Sequence, residues 1–298
     1  MKFTKYLFCY FVGNEPHEET VHFAVSEDGY NFTALNNNEP IIKQNLGQKC
    51  CRDPYIFRGE DGIFHIIETD MKSADGWANN NSMVVWDSKD LVNWENERII
   101  DFSQFPETKS ANRVWAPQVK YDKIRQEYMI YWTNNNADEG WHTIPWYAYT
   151  KDFITLTTNP KILHNPKSGM AAIDGDIIEK DGNFYLYVAD EEQDGICYLV
   201  SEKLEGPYTE PKNNKISVAD TALEGHCTYQ ILGTDKYVLI ADQFKKGGYF
   251  MQETTDLIHF TAVPKEKISL DHLRPRHGSV MHITDDEFNR LIKEKWEF

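Results

Sequence analysis

Five short strand-like segments recur along this chain, and their spacing constrains the fold more than any other feature. Successive copies begin roughly 50 to 60 residues apart, a period typical of β-propellers, in which each repeat forms one blade. The copies are Asp53-Pro-Tyr-Ile, Ala116-Pro-Gln-Val, Asp174-Gly-Asp-Ile, Glu224-Gly-His-Cys and His277-Gly-Ser-Val. We therefore predict an all-β fold, a five-bladed β-propeller.

Two further elements recur in the same order between these segments. One is a hairpin turn such as Asp61-Gly62 or Asp181-Gly182, followed by a run rich in β-branched and aromatic residues. The other is a Ser or Thr turn motif followed by a large apolar residue, with copies at Ser26, Ser88, Thr150, Ser201 and Thr254. Each repeat thus predicts four strands, and the shared order favours a propeller over a β-sandwich.

The fifth blade combines the two ends of the chain. Its inner strand is predicted from His277 to Ile283, and its other strands from Lys5 to Tyr10, Val21 to Val25 and Phe32 onward. Pairing of the N- and C-terminal strands closes the ring and removes exposed sheet edges. No linker divides residues 1–298, so we expect one domain, with a helix only near 285–296.

Charge and cysteine content limit the partners and the compartment. The net charge of −16 argues against nucleic acid or an anionic membrane surface and favours a neutral ligand. The five cysteines show neither zinc spacing nor a disulfide framework, as in a reducing compartment. The apolar stretch from Tyr6 to Val12 lacks a cleavage site and predicts a strand, so we expect a cytoplasmic protein. The sequence does not indicate the oligomeric state.

Three of the five segments begin with a carboxylate: Asp53, Asp174 and Glu224. Matched positions on the innermost strands converge on the central channel, so these groups are expected to meet in one cleft. Glycosidic bond hydrolysis needs a protonated acid and an ionised carboxylate, and a third carboxylate can tune the acid. Asp176, two residues after Asp174, competes for that third position. His277 is expected to face the channel near an ion or water.

At this point the chain resembles the arabinofuranosidase- and xylosidase-like enzymes of glycoside hydrolase family 43, which are five-bladed β-propellers. The resemblance spans nearly the whole chain, and the order of its motifs makes it specific. They are Tyr6-Leu-Phe-Cys-Tyr-Phe11, the run from Val21 to Tyr30, Arg52-Asp-Pro54, Val114-Trp-Ala-Pro117, Ala172-Ile-Asp-Gly-Asp176, Leu223-Glu-Gly225 and Arg276-His-Gly-Ser279.

The resemblance implies a role for each candidate. Asp53 would be the general base, Glu224 the general acid and Asp174 the group that tunes the acid. Trp115 would form part of the sugar pocket, and His277 would lie near a central ion, often calcium and held partly through water; no cofactor is required for the chemistry. The family inverts configuration, which predicts acid and base carboxyls roughly 6.5–9.5 Å apart.

The chain departs from the commonest family pattern at two positions. Many family members have proline at the position of Gly175. At the position of His226, proline or a small residue is common. The choice between Asp174 and Asp176 therefore stays open, and His226 is expected either to alter the pKa of the acid or to contact the substrate.

Loops between blades are expected to set specificity. The candidates are 71–81 with Trp77 and 134–146 with Trp141, because tryptophan can stack on a sugar, although an ordinary packed role is equally compatible with the sequence. Arg276 is a further candidate for substrate binding.

The function predicted from the sequence is release of terminal α-L-arabinofuranosyl units from neutral plant-type oligosaccharides, as in hemicellulose degradation. β-D-xylosidase activity is the near alternative. The sequence is also compatible with a non-catalytic carbohydrate-binding propeller, or with a galactan- or fructan-active glycosidase. A family 32 fructan enzyme would share Arg52-Asp-Pro54 but would need two motifs that this chain lacks. A phosphorylase would need more basic residues than Arg274 and Arg276.

Overall fold

The structure is a computed structural model that describes residues 1–169, 171–190, 193–294 and 296. In chain order its strands are β1 (Lys5–Tyr10), β2 (His22–Ser26), β3 (Phe32–Ala34), β4 (Cys51–Arg58), β5 (Phe64–Asp70), β6 (Ser82–Ser88), β7 (Trp94–Asp101), β8 (Val114–Asp122), β9 (Glu127–Asn134), β10 (Ile144–Thr150), β11 (Lys161–Ile162), β12 (Ala172–Lys180), β13 (Asn183–Asp190), β14 (Gly195–Ser201), β15 (Glu224–Gln230), β16 (Tyr237–Asp242), β17 (Tyr249–Thr254), β18 (Thr261–Ala262) and β19 (Gly278–Ile283).

The strands form five antiparallel sheets arranged as the blades of a propeller, which confirms the predicted fold. The sheet orders are β4-β5-β6-β7, β8-β9-β10-β11, β12-β13-β14, β15-β16-β17-β18 and β19-β1-β2-β3. The first strand of each order is the innermost. Apolar side chains of neighbouring blades pack together, and each such cluster draws on strands of adjacent sheets.

The third blade differs from the prediction because it has three strands. The expected outer strand after Ser201 is reduced to isolated bridges, Val200 with Thr209 and Cys197 with Lys215. Pro207 and Pro211 lie in this segment. Proline cannot donate a hydrogen bond to a ladder, so a regular edge strand does not form there.

The recurring Ser or Thr motif forms a hydrogen-bonded turn between the third and fourth strands of a blade. In the copy at Ser88, the hydroxyl accepts from the amides of Asp90 and Leu91, at 3.2 and 2.9 Å. The Asp90 carboxylate then accepts from the amides of Val92 and Asn93, at 2.9 and 2.8 Å. The copies at Ser26, Thr150 and Thr254 repeat this pattern. The motif is therefore a structural turn signal.

The ring is closed as predicted by pairing of the two chain ends. Strand β19 pairs with β1 along its whole length, from Gly278 opposite Tyr10 to Ile283 opposite Lys5. The chain then forms one short helix, α1 (Asp285–Leu291), which is shorter than expected and starts at a capping box made by Thr284 and Glu287. Among the described residues, no helix is long and apolar enough to cross a bilayer.

Gly278→Ala is expected to destabilise the closed ring. A β-carbon at this position would collide with the carbonyl oxygen of Cys9 and lie 2.8 Å from the Cα of Tyr10. Both are backbone atoms of β1, so the strands would have to separate. We expect a loss of about 3 kcal/mol in the free energy of unfolding, measured by urea denaturation.

Gly233→Ala is the matched control. Gly233 has a φ of 76° and nothing within 4 Å of an added β-carbon, so its substitution carries only backbone strain of about 1 kcal/mol. Equal losses in the two variants would show that contact between β19 and β1 does not limit stability.

Candidate active site

A β-bulge interrupts the inner strand of each of the first four blades, always at the same depth. The strand pairing shifts between Arg52 and Tyr55, Trp115 and Gln118, Ile173 and Asp176, and Glu224 and Cys227. One residue in each bulge is left-handed: Asp53, Ala116, Asp174 and Gly225, with φ of 50°, 48°, 57° and 57°. Bulges often re-aim side chains next to active sites.

The positions of these bulges show that the predicted alignment of the repeats is wrong by one residue in the fourth blade. Asp53 and Asp174 are equivalent, as expected. Their counterpart in β15 is Gly225, whereas Glu224 occupies the position of Arg52 and Ile173. Sequence spacing missed this offset because segments of unequal length connect the blades. Glu224 nevertheless lines the same cavity as the two aspartates.

Hydrogen bonds join three of the four left-handed residues to the preceding blade. The amide of Ala116 donates to the Thr69 hydroxyl at 2.7 Å, and the amide of Asp174 donates to the Thr133 hydroxyl at 3.0 Å. In the next blade the amide of Gly225 donates to Oδ2 of Asp174 at 2.8 Å. The site is therefore positioned by contacts between rigid inner strands.

The central cavity has a volume of about 380 Å³. Its polar lining includes the three predicted catalytic carboxylates. It also includes the predicted substrate-binding arginine and the predicted channel histidine, which directly precede β19. Those residues are Asp53, Asp174, Glu224, Arg276 and His277. The fold thus brings together side chains from four different blades.

Asp53 is held as an ionised carboxylate. Its Oδ2 accepts a 2.8 Å hydrogen bond from the Thr69 hydroxyl, and Oδ1 lies 3.5 Å from Nδ1 of His277. Burial is the largest influence and acts to raise the pKa of Asp53, but the hydrogen bond and charge of His277, the charge of Arg52 and the hydrogen bond from Thr69 together outweigh it. The pKa of Asp53 consequently lies below its usual value.

Glu224, by contrast, has a raised pKa that favours the protonated carboxyl. Burial raises its pKa most strongly, and the negative charges of Asp174 and Asp242 raise it further, to about 8. Arg276 opposes this rise, with Nη2 3.7 Å from Oε1 of Glu224. A group with this pKa is mostly protonated at neutral pH and can donate a proton.

Asp242 is a fourth carboxylate in the cavity, and sequence reasoning missed it. It is the direct cross-strand partner of Glu224 and accepts a hydrogen bond from Nε of Arg276. The backbone of Arg276 is fixed by hydrogen bonds with Phe11 and Tyr249. The place of Asp242 at the end of a β-rich run gave no signal that it would face Glu224.

The two candidates in β12 have different surroundings. Asp174 lines the cavity, whereas Asp176 lies outside its lining and accepts a 2.8 Å hydrogen bond from the amide of Thr228. The bulge between them breaks the alternation that would put both on one face. Burial raises the pKa of Asp174, His277 opposes the shift, and Asp53 reinforces it.

His277 lies between two carboxylates, with Nδ1 3.5 Å from Asp53 and 3.8 Å from Asp174. Burial acts to lower its pKa, but these neighbours raise the pKa to about 9. At neutral pH the ring therefore carries a positive charge that is balanced by these carboxylates. His226, by contrast, is fully buried outside the cavity lining, and burial lowers its pKa to about 3.

The donor set around His277 does not fit a directly ligated calcium ion. Calcium takes six to eight oxygen ligands. In the described part of the chain, no group of three His, Cys, Asp or Glu side chains is arranged to hold a metal ion. Calcium held through water stays a prediction.

The predicted aromatic residues divide between cavity and surface. Trp115 and Trp77 both line the cavity. Trp77 is 48% exposed and lies over Arg52, whose Cζ is 4.9 Å from the indole centroid. Trp141 is 50% exposed and is not among the lining residues, so a role in this cavity has no support. Phe244 lines the cavity and was missed, because its Gln-Phe-Lys-Lys-Gly-Gly segment looks like an ordinary hairpin turn.

Comparison with known proteins is consistent with this arrangement. A family model described as a probable glycosyl hydrolase domain, related to glycoside hydrolase family 43, matches residues 2–289. An α-L-arabinofuranosidase from Bifidobacterium longum subsp. longum is 24% identical over 200 residues, which cover 59% of this chain and 18% of that protein.

Solved structures share the fold. A xylan β-1,4-xylosidase from Bacillus halodurans C-125 superposes with a TM-score of 0.64 at 13% identity, covering 93% of this chain and 56% of that chain. An endo-1,4-β-xylanase from Bacteroides thetaiotaomicron VPI-5482 gives a TM-score of 0.64 at 14% identity, covering 87% and 91%. At these identities the likeness concerns the fold, and the activities named are those of the relatives.

Proposed function

Since the chain belongs to the family of probable glycosyl hydrolase domains related to glycoside hydrolase family 43, we propose that it hydrolyses glycosidic bonds of neutral oligosaccharides with inversion of configuration. The observation that carries the proposal is the difference in pKa between Asp53 and Glu224. One cavity holds a carboxyl whose pKa is below its usual value and another whose pKa is about 8. Divergent pKa values of this kind separate base from acid.

In the proposed reaction, Asp53 is the general base and Glu224 the general acid. A water molecule attacks the anomeric carbon and gives one proton to the Asp53 carboxylate. The bond between this carbon and the leaving oxygen breaks, and Glu224 transfers its proton to that oxygen. Thr69 and His277 hold Asp53, so its orientation does not depend on the substrate.

Asp174 acts in the proposal as a positioning residue. Its Oδ2 accepts the hydrogen bond from Gly225, the residue next to the acid. Its negative charge also contributes to the raised pKa of Glu224. In the proposal, Asp174 therefore affects both the orientation of Glu224 and its protonation.

The cavity suits an uncharged sugar. Each of its three cationic side chains is already paired with a carboxylate, so an anionic sugar would meet no unpaired cation among the described lining residues. The pairs are Arg52 with Glu19, Arg276 with Asp242, and His277 with Asp53. Trp115 and Trp77 provide aromatic surface on which a sugar face can stack.

We propose terminal α-L-arabinofuranosyl units as the substrate, with β-D-xylosyl units as the near alternative. The arabinofuranosidase that matches part of the chain supports the first, and the propeller shared with the xylosidase fits both. The chain spans 18% of that arabinofuranosidase and 56% of that xylosidase, so their substrates inform this proposal without deciding it.

A panel of aryl glycosides tests the proposal. We expect turnover of the α-L-arabinofuranoside or the β-D-xyloside, and little or none of the β-D-galactoside and β-D-fructofuranoside. Proton NMR of the first-formed sugar should show the anomer opposite to that of the substrate. A retained anomer would contradict inversion. Sugar binding by calorimetry without turnover of aryl glycosides or arabinan and xylan polymers would favour a non-catalytic binding protein.

A further inference from the structure

Phe244 is an exposed aromatic residue at the edge of the catalytic cavity. Its side chain is 42% exposed and lines the cavity together with the proposed catalytic residues. An apolar ring left in solvent beside a polar site contributes little to the core. Its position therefore points to contact with a ligand.

The chain places Phe244 on the side of the general acid. Phe244 lies two residues after Asp242, and Asp242 pairs directly with Glu224 across β15 and β16. Trp77, by contrast, stacks on Arg52, which precedes the proposed base Asp53. The two exposed aromatic residues thus lie in the blades that carry the proposed acid and the proposed base, respectively.

The hairpin that carries Phe244 is held firmly at its base. The amide of Gln243 donates to the Gly248 carbonyl at 3.0 Å, and the amide of Lys246 donates to the Gln243 carbonyl at 2.8 Å. Gly247 and Gly248 adopt φ of 82° and 80°, which favour glycine.

Two ion pairs tie the tip of this hairpin to neighbouring segments. Nζ of Lys245 lies 2.8 Å from Asp194, and Nζ of Lys246 lies 3.3 Å from Asp220. Lys245 also lies 5.5 Å from the centroid of the Phe244 ring. The ring is bordered by Lys245 and by the cavity, on a turn that is closed by backbone hydrogen bonds.

We infer that Phe244 is the platform for the sugar that leaves, so the 243–248 hairpin determines which leaving groups the site accepts. The inference rests on the proposed function, because the acid must protonate the oxygen of the departing unit. That unit consequently lies beside Glu224. Phe244 offers it an apolar surface, and the nearby lysines are already paired, which fits a neutral sugar.

The test compares two substrates that carry the same terminal sugar. This sugar is the one that the aryl glycoside panel identifies as preferred. One is an oligosaccharide, which has a sugar as leaving group, and the other is the glycosyl fluoride, which has none. Phe244→Ala should lower the ratio of kcat/KM for the oligosaccharide to that for the fluoride by about tenfold. Phe244→Trp should keep the ratio near that of the parent.

Lys246→Ala is the matched control, since it removes an ion pair from the same hairpin without removing a residue that lines the cavity. We expect its ratio to equal that of the parent. An unchanged ratio in Phe244→Ala would overturn the inference: equal loss on both substrates would show a structural role, and no loss on either would show no role. Failure of the parent to turn over either substrate would instead contradict the proposed function.

Discussion

Asp53→Asn is expected to lower kcat/KM on the preferred glycoside by about 10³-fold, because general base catalysis contributes an effect of this size. Asparagine is the appropriate replacement since Asp53 has a φ of 50°, a conformation that asparagine tolerates better than alanine. The amide oxygen can still accept the hydrogen bond from Thr69. The loss should therefore reflect the missing base and not a rearranged strand.

Asp176→Asn is the control for this variant. Asp176 is a buried aspartate of another inner strand, outside the cavity lining, and asparagine can still accept from the amide of Thr228. We expect it to keep most of the parental activity. A large loss in Asp176→Asn together with a small loss in Asp53→Asn would show that the base has been misassigned.

Glu224→Gln is expected to lower kcat/KM on an oligosaccharide by a similar factor of about 10³. The loss should be much smaller on an aryl glycoside with an acidic phenol, because that leaving group departs without a proton. A variant that was merely misfolded would lose both activities equally. Circular dichroism and the activity ratio of the two substrates together separate these outcomes.

The pH profile gives an independent test of the same group. The pKa of Glu224 is raised to about 8, so its acid form is present below this pH and is lost as the pH rises through it. Parental kcat/KM on the oligosaccharide should therefore fall above about pH 8. The pKa of Asp53 is lowered, so the base stays ionised to a pH below the usual aspartate range.

Two variants check the assignment of the alkaline limb. Glutamine at 224 cannot titrate, so this limb should disappear from the residual activity. Asp242→Asn removes a negative charge that raises the pKa of Glu224, so the limb should move to lower pH while remaining visible. An alkaline limb at the parental pH in Glu224→Gln would assign the titration to another group.

The propeller could be predicted because its signals are local and repeated. Alternating apolar residues specify strands, and the Ser or Thr turn motif specifies where one strand ends and the next begins. Asp28, Asp90 and Asp152 each bond to nearby amides of their own turn, so neighbouring sequence is enough to recognise them. Ring closure followed from counting the strands at the two ends.

The candidate site could be predicted only in part. The repeat predicts that Asp53, Asp174 and Glu224 share one cavity, and they do, but it aligns Glu224 one residue away from its position in the strand pairing. A bulge changes which residue faces the cavity, and it is visible only from the pairing of two strands. For the same reason, sequence alone does not indicate which of Asp174 and Asp176 lines the cavity.

By itself, the sequence determined the blades, the turns and the carboxylates available for chemistry, since these depend on residues close together in the chain. The pKa shifts of Asp53 and Glu224 depend on tertiary structure alone, because they arise from burial and from charges and hydrogen bonds on other strands and blades. Tertiary structure also decided that Asp242 and Phe244 border the cavity and that Trp141 does not. Burial and through-space electrostatics arise only when distant segments meet, and no local pattern encodes them.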